Sequence, residues 1–282
     1  MDKKWISFTS ELCELDQIFD CGQAFRWQRI RDGAYVGIVN GEQVDIRQEG
    51  QEVQIYSRQS EAFWHHYFDL DTDYGAILES LTQKDETMAK VTAYGKGIRI
   101  LRQDPWEMVL TFILSSNNNI PRIKKAIECL SETYGTPIRD DKGQVLAYGL
   151  PTPDQLAQVP QEDLRTCGLG YRDKYVHHVA NRIVDGTFSI SQMETRNPKE
   201  VEKSLLSLFG VGKKVADCIL LFGTPHKLVF PIDTWVKKAM QYFYLPECDN
   251  IKIMEKFAYE HFGAYAGYAQ QYLFYYARAH RL

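Results

Sequence analysis

The sequence lacks the cysteine patterns that build metal sites. Its six cysteines are scattered, with no Cys-x-x-Cys pair and no cluster of four. Zinc ribbons and iron–sulfur clusters require such spacings, so both are disfavoured and we expect no metal and no cofactor. Because no export signal accompanies these thiols, we expect all six to be reduced and the protein to be cytoplasmic.

Long apolar runs and a large charge excess are also missing. The start of the chain becomes acidic at Glu11 and Glu14 without an apolar stretch of signal-peptide length, and no run reaches the roughly 18 residues of a membrane span. We therefore expect no membrane association. The formal net charge of −4 excludes a protein coated with positive charge for packaging nucleic acid, but it is compatible with a local basic patch.

What the chain does have is apolar and aromatic material for a folded core. Of its 282 residues, 44% are hydrophobic and 13% are aromatic, which excludes an intrinsically disordered chain. The aromatic side chains serve equally well for core packing or for stacking on a ligand, and composition does not separate the two uses.

Two kinds of local pattern divide the sequence. Between about residues 25 and 56, short alternating runs are separated by turn dipeptides, which predicts antiparallel hairpins. These dipeptides are Asp32-Gly33, Asn40-Gly41 and Glu49-Gly50. From about Asp73 onward the pattern is helical, and Asp104-Pro105 and Asn197-Pro198 each place a capping residue and an N1 proline before an apolar run.

These patterns predict an α+β fold. We expect a small N-terminal antiparallel β-sheet domain over residues 1–75, packed on a mainly helical core over residues 76–282. Within that core we expect a helical hairpin at about residues 199–223.

The most informative stretch is that hairpin, which reads Leu-Leu-Ser-Leu-Phe-Gly-Val-Gly-Lys-Lys-Val-Ala-Asp-Cys-Ile-Leu-Leu-Phe-Gly over residues 205–223. A first helix ends at Gly210, Gly212 allows a tight turn, and a second helix runs to Gly223. Backbone amides at the start of the second helix are suited to bind a DNA phosphate. The alternative is an ordinary core hairpin. Residues 201–240 carry a local charge of +3, which favours the phosphate interpretation.

Lys214 and Asp233 suggest chemistry at this hairpin. Lys214 lies just inside the second helix and shares a face with Cys218, four residues on. Asp233 follows Pro231 and is placed to cap the next helix. An amine and a carboxylate aimed at one sugar suffice for attack at the anomeric carbon. The alternative is a surface lysine and an N-cap aspartate.

Together the motifs resemble a known family. The hairpin followed by Val229–Asp233 resembles the signature of helix–hairpin–helix (HhH-GPD) base-excision repair enzymes, and specifically of the 8-oxoguanine DNA glycosylase/AP lyases. Further matches occur in the family's order over residues 21–274. They are Cys-Gly-Gln-Ala-Phe-Arg-Trp from Cys21, Leu-Arg-Gln-Asp-Pro from Leu101, Ser-Ser-Asn-Asn-Asn-Ile-Pro-Arg from Ser115, Gly-Leu-Gly-Tyr-Arg from Gly168, and Ala-Gly-Tyr-Ala-Gln-Gln-Tyr-Leu-Phe from Ala266.

The resemblance implies a catalytic pair and a pocket for the damaged base. Lys214 would attack C1′ of a flipped nucleotide, form a Schiff base and permit β-elimination, while Asp233 stabilises the sugar cation. The damaged base would be bound by Gly22, Cys218, Gln270 and Phe274. A carbonyl at Gly22 would favour the N7–H of 8-oxoguanine over the N7 acceptor of guanine. Considered singly, Phe274 and Cys218 are better explained as core residues.

A second set of residues would read the opposite strand. By resemblance, Asn117, Arg122 and Arg172 contact the base opposite the lesion and Tyr171 wedges into the stack. Guanidinium groups match the acceptors of cytosine, which predicts a cytosine preference. The alternative is that both arginines touch only phosphates. Gly210, Gly212 and Lys213 would bind DNA phosphates.

The remaining expectations concern partners and departures. The expected partner is double-stranded DNA containing 8-oxoguanine, bound by a monomer. In many relatives a histidine stands two residues after the aspartate, and here it is Trp235, which leaves that phosphate contact open. The family's hairpin carbonyls, here near Leu206, Leu208 and Val211, would hold a structural alkali cation. Two rival functions remain, a monofunctional glycosylase for alkylated bases and a non-enzymatic DNA-binding protein with the same hairpin.

Overall fold

A computed structural model describes residues 3–282 and contains an N-terminal sheet and a larger helical region. The sheet has five antiparallel strands in the order β1-β5-β4-β3-β2. The strands are β1 (Lys4–Thr9), β2 (Trp27–Arg31), β3 (Ala34–Val39), β4 (Glu42–Glu49) and β5 (Glu52–Ser57). The α+β prediction is confirmed.

The predicted hairpin turns lie where the dipeptides placed them. Gly33, Gly41 and Gly50 all adopt positive φ, which an L side chain tolerates poorly. The edge strand β1 was not predicted, because it pairs with β5, nearly fifty residues away, and has no turn of its own to mark it.

Most of the helices follow the N-terminal sheet in sequence, and one lies between β1 and β2. They are α1 (Leu15–Asp20), α2 (Glu61–Tyr67), α3 (Tyr74–Thr82), α4 (Glu86–Tyr94), α5 (Pro105–Leu114), α6 (Ile120–Tyr134), α7 (Pro153–Ala157), α8 (Asp173–Val184), α9 (Pro198–Leu206), α10 (Lys213–Gly223), α11 (Thr234–Phe243), α12 (Ile251–Phe262) and α13 (Ala266–His280). A short hairpin, β6 (Pro137–Arg139) and β7 (Val145–Tyr148), follows α6 and was not predicted. Among the helices of residues 3–282, none combines the length and apolarity that a membrane crossing requires.

Both proline-marked helix starts are confirmed. The Asp104 carboxylate accepts the N–H of Glu107 at 2.8 Å and begins α5, and the Asn197 amide oxygen accepts the N–H of Lys199 at 3.0 Å and begins α9. However, α9 ends at Leu206 and not at Gly210 as predicted. The Ser207 hydroxyl donates to the Ser204 carbonyl at 2.7 Å, and such side-chain bonding competes with helix continuation.

Residues 3–282 form two hydrophobic cores. One lies under the sheet and includes Ile46, Ile55, Trp64 and Phe68. The other is built from the helices after Tyr74, but it also takes in Cys21 and Phe25 from the N-terminal region. Residues near Cys21 therefore lie between the sheet and the helices.

Antiparallel packing of α5 and α10 positions the catalytic region. Gly223, at the end of α10, lies against the start of α5, where an added Cβ would be 2.9 Å from the Cβ of Met108. Phe112 and Phe222 stack between the two helices with ring centroids 5.3 Å apart. Because the helices run in opposite directions, the C-terminus of α5 meets the N-terminus of α10.

One cysteine prediction is wrong. Cys129 on α6 and Cys167 in the following 3₁₀ turn form a disulfide, with their Cα atoms 5.2 Å apart. The sequence separation of 38 residues concealed this pairing. Cys13, Cys21, Cys218 and Cys248 are free.

Candidate active site

Lys214 lies in the first turn of α10, at the junction with α5. Its Nζ donates to the hydroxyl of Ser115 at 3.2 Å and lies 5.7 Å from the centroid of the Phe112 ring. Ser115 caps the C-terminus of α5, and its hydroxyl donates in turn to the Phe112 carbonyl at 2.7 Å. The amine is therefore held by one oriented hydroxyl over an aromatic face.

Cys218 lies one turn after Lys214 and forms a buried wall beside it. Burial raises the pKa of the Cys218 thiol to about 11, against the opposing influence of the Lys214 charge. The thiol is therefore protonated near neutral pH and contributes an apolar, weakly donating surface.

Asp233 is brought to the same place by the N-terminus of α11. Its carboxylate accepts the N–H of Val236 at 2.8 Å, so the predicted N-cap is confirmed. Burial raises the pKa of Asp233, while the Val236 N–H and the Lys214 charge act in the opposite direction. The structure thus groups Lys214, Cys218 and Asp233, which the sequence separates by up to 19 residues.

Gly22 and Phe274 lie in contact with each other. Gly22 has φ +75°, and an added Cβ would lie 2.9 Å from Cε1 of Phe274 and 3.7 Å from Cδ1 of Ile120. Only glycine allows both the backbone conformation and the close approach of the aromatic ring. The Arg278 guanidinium lies 5.6 Å from the Phe274 centroid.

Gln270 on α13 provides an unsatisfied acceptor. Its side chain is only 4% exposed, and its Oε1 has no hydrogen-bond partner among residues 3–282. A buried acceptor without a partner costs roughly 1–3 kcal/mol, which is tolerated where a ligand supplies the missing donor. This amide is the clearest sign in the structure of a polar ligand.

Three further glutamines, which sequence reasoning did not single out, fix the Gly22 segment. Gln271 donates to the Cys21 carbonyl at 2.7 Å, and Gln103 donates to the Gln23 carbonyl at 2.9 Å. The Gln23 side chain is fully buried and bonds the backbone of Arg99 and Leu101 at 2.7 and 2.9 Å. Gln23 and Gln271 lie within the family motifs Cys21–Trp27 and Ala266–Phe274. The sequence did not indicate their roles, because their hydrogen-bond partners are distant in sequence.

Arg172 holds the loop that contains Asn117. Its guanidinium donates to the Ser116 carbonyl at 2.6 and 2.8 Å, to the Asn117 carbonyl at 2.8 Å and to the Leu169 carbonyl at 3.1 Å. The side chain is only 6% exposed. Four of its five N–H groups are therefore bonded to backbone carbonyls, and the expected contact of Arg172 with a partner base stays a prediction.

The other predicted opposite-strand residues are accessible. Asn117 has the left-handed φ of +47°, which presents its side chain at a sharp turn. Tyr171 is 43% exposed, and its hydroxyl donates to the Ser116 carbonyl at 3.2 Å. Arg122 is exposed in the first turn of α6. The structure therefore gathers Asn117, Tyr171 and Arg122 around one loop.

The hairpin turn has the geometry of an anion site. Gly210 has φ +87° and packs so closely on the Tyr175 ring that a Cβ would overlap it. Gly212 is the N-cap of α10, is exposed, and has open space where a Cβ would be within the described chain. The first amides of α10 are thus accessible to a phosphate.

Lys213 does not face that anion site. Its ammonium lies 2.5 Å from Asp217, 3.3 Å from Glu202 and 3.3 Å from Glu255. Burial opposes the charge, but the Asp217 carboxylate outweighs it and holds the pKa of Lys213 above its ordinary value. This pairing does not support the expected phosphate contact by the Lys213 ammonium, and the residue joins α10 to α9 and α12.

Trp235 follows Asp233 in the first turn of α11 and is half-buried. The Lys238 ammonium lies 5.0 Å from its ring centroid. In place of an imidazole, this chain therefore presents an indole face with a nearby cation.

Comparison with known proteins gives two family matches that together cover most of the chain. Residues 5–109 match the 8-oxoguanine DNA glycosylase N-terminal domain, and residues 110–260 match the HhH-GPD superfamily of base-excision DNA repair proteins. The chain is 30% identical to an N-glycosylase/DNA lyase of Saccharomyces cerevisiae, over 94% of this chain and 83% of the relative. It is 29% identical to the N-glycosylase/DNA lyase OGG1 of Arabidopsis thaliana, over 96% of this chain and 80% of the relative.

A solved structure covers the whole chain. It is the Clostridium acetobutylicum 8-oxoguanine glycosylase/lyase in complex with double-stranded DNA containing cytosine opposite 8-oxoguanine, which is 40% identical with a TM-score of 0.91 over 100% of both chains. With this match in fold and sequence, the chain belongs to the 8-oxoguanine glycosylase/lyase family of the HhH-GPD superfamily of base-excision DNA repair proteins.

Proposed function

We propose that the protein is a bifunctional DNA glycosylase/AP lyase that excises 8-oxoguanine from double-stranded DNA and then cleaves the strand by β-elimination. The observation that carries this function is the group formed by Lys214, Cys218 and Asp233, and the unsatisfied buried acceptor of Gln270 supports it. A nucleophilic amine and a carboxylate thereby lie together, and the Gln270 amide offers an acceptor for a base.

The chemistry has two stages at C1′ of the flipped nucleotide. The unprotonated Lys214 amine forms a bond to C1′ as the bond to N9 of the base breaks, and the base leaves with the bonding electrons and takes up a proton. Opening of the sugar then gives a Schiff base. Loss of a C2′ proton from this intermediate expels the 3′ phosphate.

Asp233 and Ser115 have separate tasks in this reaction. The Asp233 carboxylate stabilises the positive charge that develops on the sugar, an interaction that is strongest in the transition state. Ser115 touches the amine and is a positioning residue. The Ser115 hydroxyl proton is directed to the Phe112 carbonyl. The hydroxyl oxygen therefore accepts a hydrogen bond from the Lys214 amine, which fixes the orientation of that amine.

Selection of the damaged base follows from the match between the hydrogen-bond donors and acceptors of 8-oxoguanine and those of the protein. At N7, 8-oxoguanine carries a hydrogen where guanine has an acceptor, so a carbonyl at Gly22 distinguishes the two. Gln270 Oε1 accepts from the Watson–Crick edge of the purine, and Phe274 provides a stacking face. An opposed pair of buried acceptors disfavours guanine by a few kcal/mol.

The partner base is read by Arg122, not by Arg172. Arg122 is exposed beside the Asn117 loop, whereas four of the five Arg172 N–H groups bond carbonyls. Guanidinium donors match the O2 and N3 acceptors of cytosine, so cytosine is the favoured partner.

A structural alkali cation at the hairpin fits the backbone. The Leu208 carbonyl accepts the N–H of Val211 at 3.1 Å, which orients it within the turn and leaves its second lone pair for an ion. The cation would neutralise carbonyl dipoles next to the phosphate site.

A monofunctional alkylbase glycosylase is disfavoured by the same observation, because such an enzyme needs no lysine nucleophile. Borohydride reduction on 8-oxoguanine duplexes tests the point, since it converts a Schiff base into a permanent cross-link. We expect the wild type and the surface variant Lys84→Gln to cross-link and Lys214→Gln to lose both cross-linking and excision while it still binds DNA. Cross-linking by Lys214→Gln, or base release by the wild type without any cross-link, would contradict the bifunctional mechanism.

A further inference from the structure

Three aromatic side chains form a row on the surface between the Asn117 loop and the hairpin. We call Tyr171, Tyr175 and Phe209 the aromatic strip. The rings of Tyr171 and Tyr175 have centroids 5.7 Å apart at 76°, and those of Tyr175 and Phe209 are 5.0 Å apart at 88°. Both contacts are edge-to-face, so the rings hold one another in fixed orientations.

The ends of the aromatic strip are exposed although they are large and apolar. Phe209 is 50% exposed and Tyr171 is 43% exposed. Phe209 cannot turn inward freely, because Gly210 follows it at φ +87° and the Tyr175 ring fills the space against Gly210. The fold therefore fixes an aromatic ring in solvent at the tip of the hairpin, which is a feature of interaction sites.

A cation accompanies the aromatic strip. The Lys174 ammonium lies 5.6 Å from the Tyr175 centroid and 5.4 Å from the Phe209 centroid. The neighbouring Asp173 is fully buried and paired with Arg165, so it does not neutralise Lys174. The surface thus combines ring faces with positive charge, which suits contact with the sugars and phosphates of DNA.

The position of the aromatic strip identifies its occupant. Tyr171 bonds the Ser116 carbonyl at one end, and Phe209 directly precedes the hairpin glycines at the other. The proposed function places DNA at both ends, so a strand that reaches from the hairpin to the Asn117 loop crosses the rings between them.

We propose that the aromatic strip is a DNA-strand-binding surface, on which Phe209 packs against a deoxyribose or base and Lys174 pairs with a phosphate. This inference rests on the proposed function. The aromatic strip adds a DNA contact that does not depend on a lesion, and so contributes to DNA-binding affinity before the damaged base is found.

The test compares aromatic variants in equilibrium binding to lesion-free and 8-oxoguanine duplexes. Phe209→Ala should weaken binding to both by about 5- to 100-fold, and Phe209→Trp should bind like the wild type because it retains a ring face. The matched control is Trp5→Ala, which removes an aromatic ring that is 52% exposed and has the Arg47 guanidinium 4.6 Å from its centroid, but lies in β1 of the N-terminal sheet. This control should bind normally.

Two further measurements separate the alternatives. Lys174→Ala should lower the slope of log K against log salt by about one unit. At saturating DNA, Phe209→Ala should retain single-turnover excision and borohydride cross-linking, so failure of the aromatic strip and failure of the proposed function are distinguishable. Wild-type binding by Phe209→Ala would overturn the proposal, because the side chain would then be dispensable.

Discussion

Lys214 and Ser115 are 99 residues apart in sequence, yet the Lys214 amine donates to the Ser115 hydroxyl at 3.2 Å. The contact exists because antiparallel packing brings the end of α5 to the start of α10. It also has a direction, since the hydroxyl donates to the Phe112 carbonyl and can only accept from the lysine through its lone pair. The nucleophile is thus oriented by a residue from another helix.

Removing this hydroxyl should slow chemistry without weakening binding. A hydrogen bond to a charged or strongly polar group contributes about 1.5–3 kcal/mol, so Ser115→Ala should reduce the single-turnover excision rate by about 10- to 150-fold. Ser115→Thr should retain most of the rate because it keeps the hydroxyl. Ser116→Ala is the matched control, since within the described chain Ser116 forms hydrogen bonds only through its backbone N–H and carbonyl. A Ser115→Ala rate equal to the wild type would show that the amine needs no such support.

Local signals were sufficient for much of the fold. The capping residues Asp104 and Asn197 and the glycines of the hairpin turns act within a few residues of themselves, so their effects are visible in sequence. The edge strand β1 and the β6–β7 hairpin were missed because pairing with a distant strand, or a very short strand, leaves little periodic signal.

The candidate site shows the same division. Lys214 and Asp233 were identified by residue type, spacing and resemblance, and the structure brings them together. The partners of Lys213 and Arg172 were not predictable, because Glu255 and the Ser116 carbonyl reach them only through the packing of separate helices. A charged residue in a motif therefore indicates a site, but not which way its side chain points.

Lys213 should affect stability and not the salt dependence of DNA binding. Its ammonium is bound by three carboxylates, so Lys213→Ala should leave the slope of log K against log salt unchanged, whereas Lys174→Ala lowers it. The loss leaves Asp217, whose side chain is 1% exposed, without its cation. Because Lys213 itself is 42% exposed and screened by solvent, we expect a moderate fall of about 1–3 kcal/mol in the free energy of unfolding. Urea unfolding measures it, and a lowered salt slope would restore the phosphate role.

Lys227 should make stability depend on pH. Its amine donates to the carbonyls of Leu221 and Thr224 at 2.5 and 3.0 Å, and burial lowers its pKa to about 7. In the unfolded chain a lysine titrates near ~10.4. Between these values the unfolded state binds a proton that the folded state does not, so the free energy of unfolding rises with pH from about 7 to about 10.

The variant Lys227→Met isolates this contribution. As the pH rises from about 7 to about 10, the urea midpoint of the wild type should increase relative to that of the variant. A difference that is constant from pH 6.5 to 10 would mean that Lys227 keeps its proton in the folded protein.

Substitutions of Arg122 and Arg172 should have different effects on excision when the base opposite the lesion is varied. If the exposed Arg122 donates to cytosine, single-turnover excision from the 8-oxoguanine·cytosine duplex should exceed that from the 8-oxoguanine·adenine duplex by roughly 5- to 150-fold, which corresponds to about 1–3 kcal/mol. Arg122→Ala should reduce that ratio, because activity on the cytosine duplex falls towards that on adenine. Arg172→Ala should instead lower both rates in parallel, since the Ser116 and Asn117 carbonyls lose their support. Parallel losses in Arg122→Ala would assign Arg122 to phosphate binding, and a reduced ratio in Arg172→Ala would show that Arg172 leaves these carbonyls to contact the base.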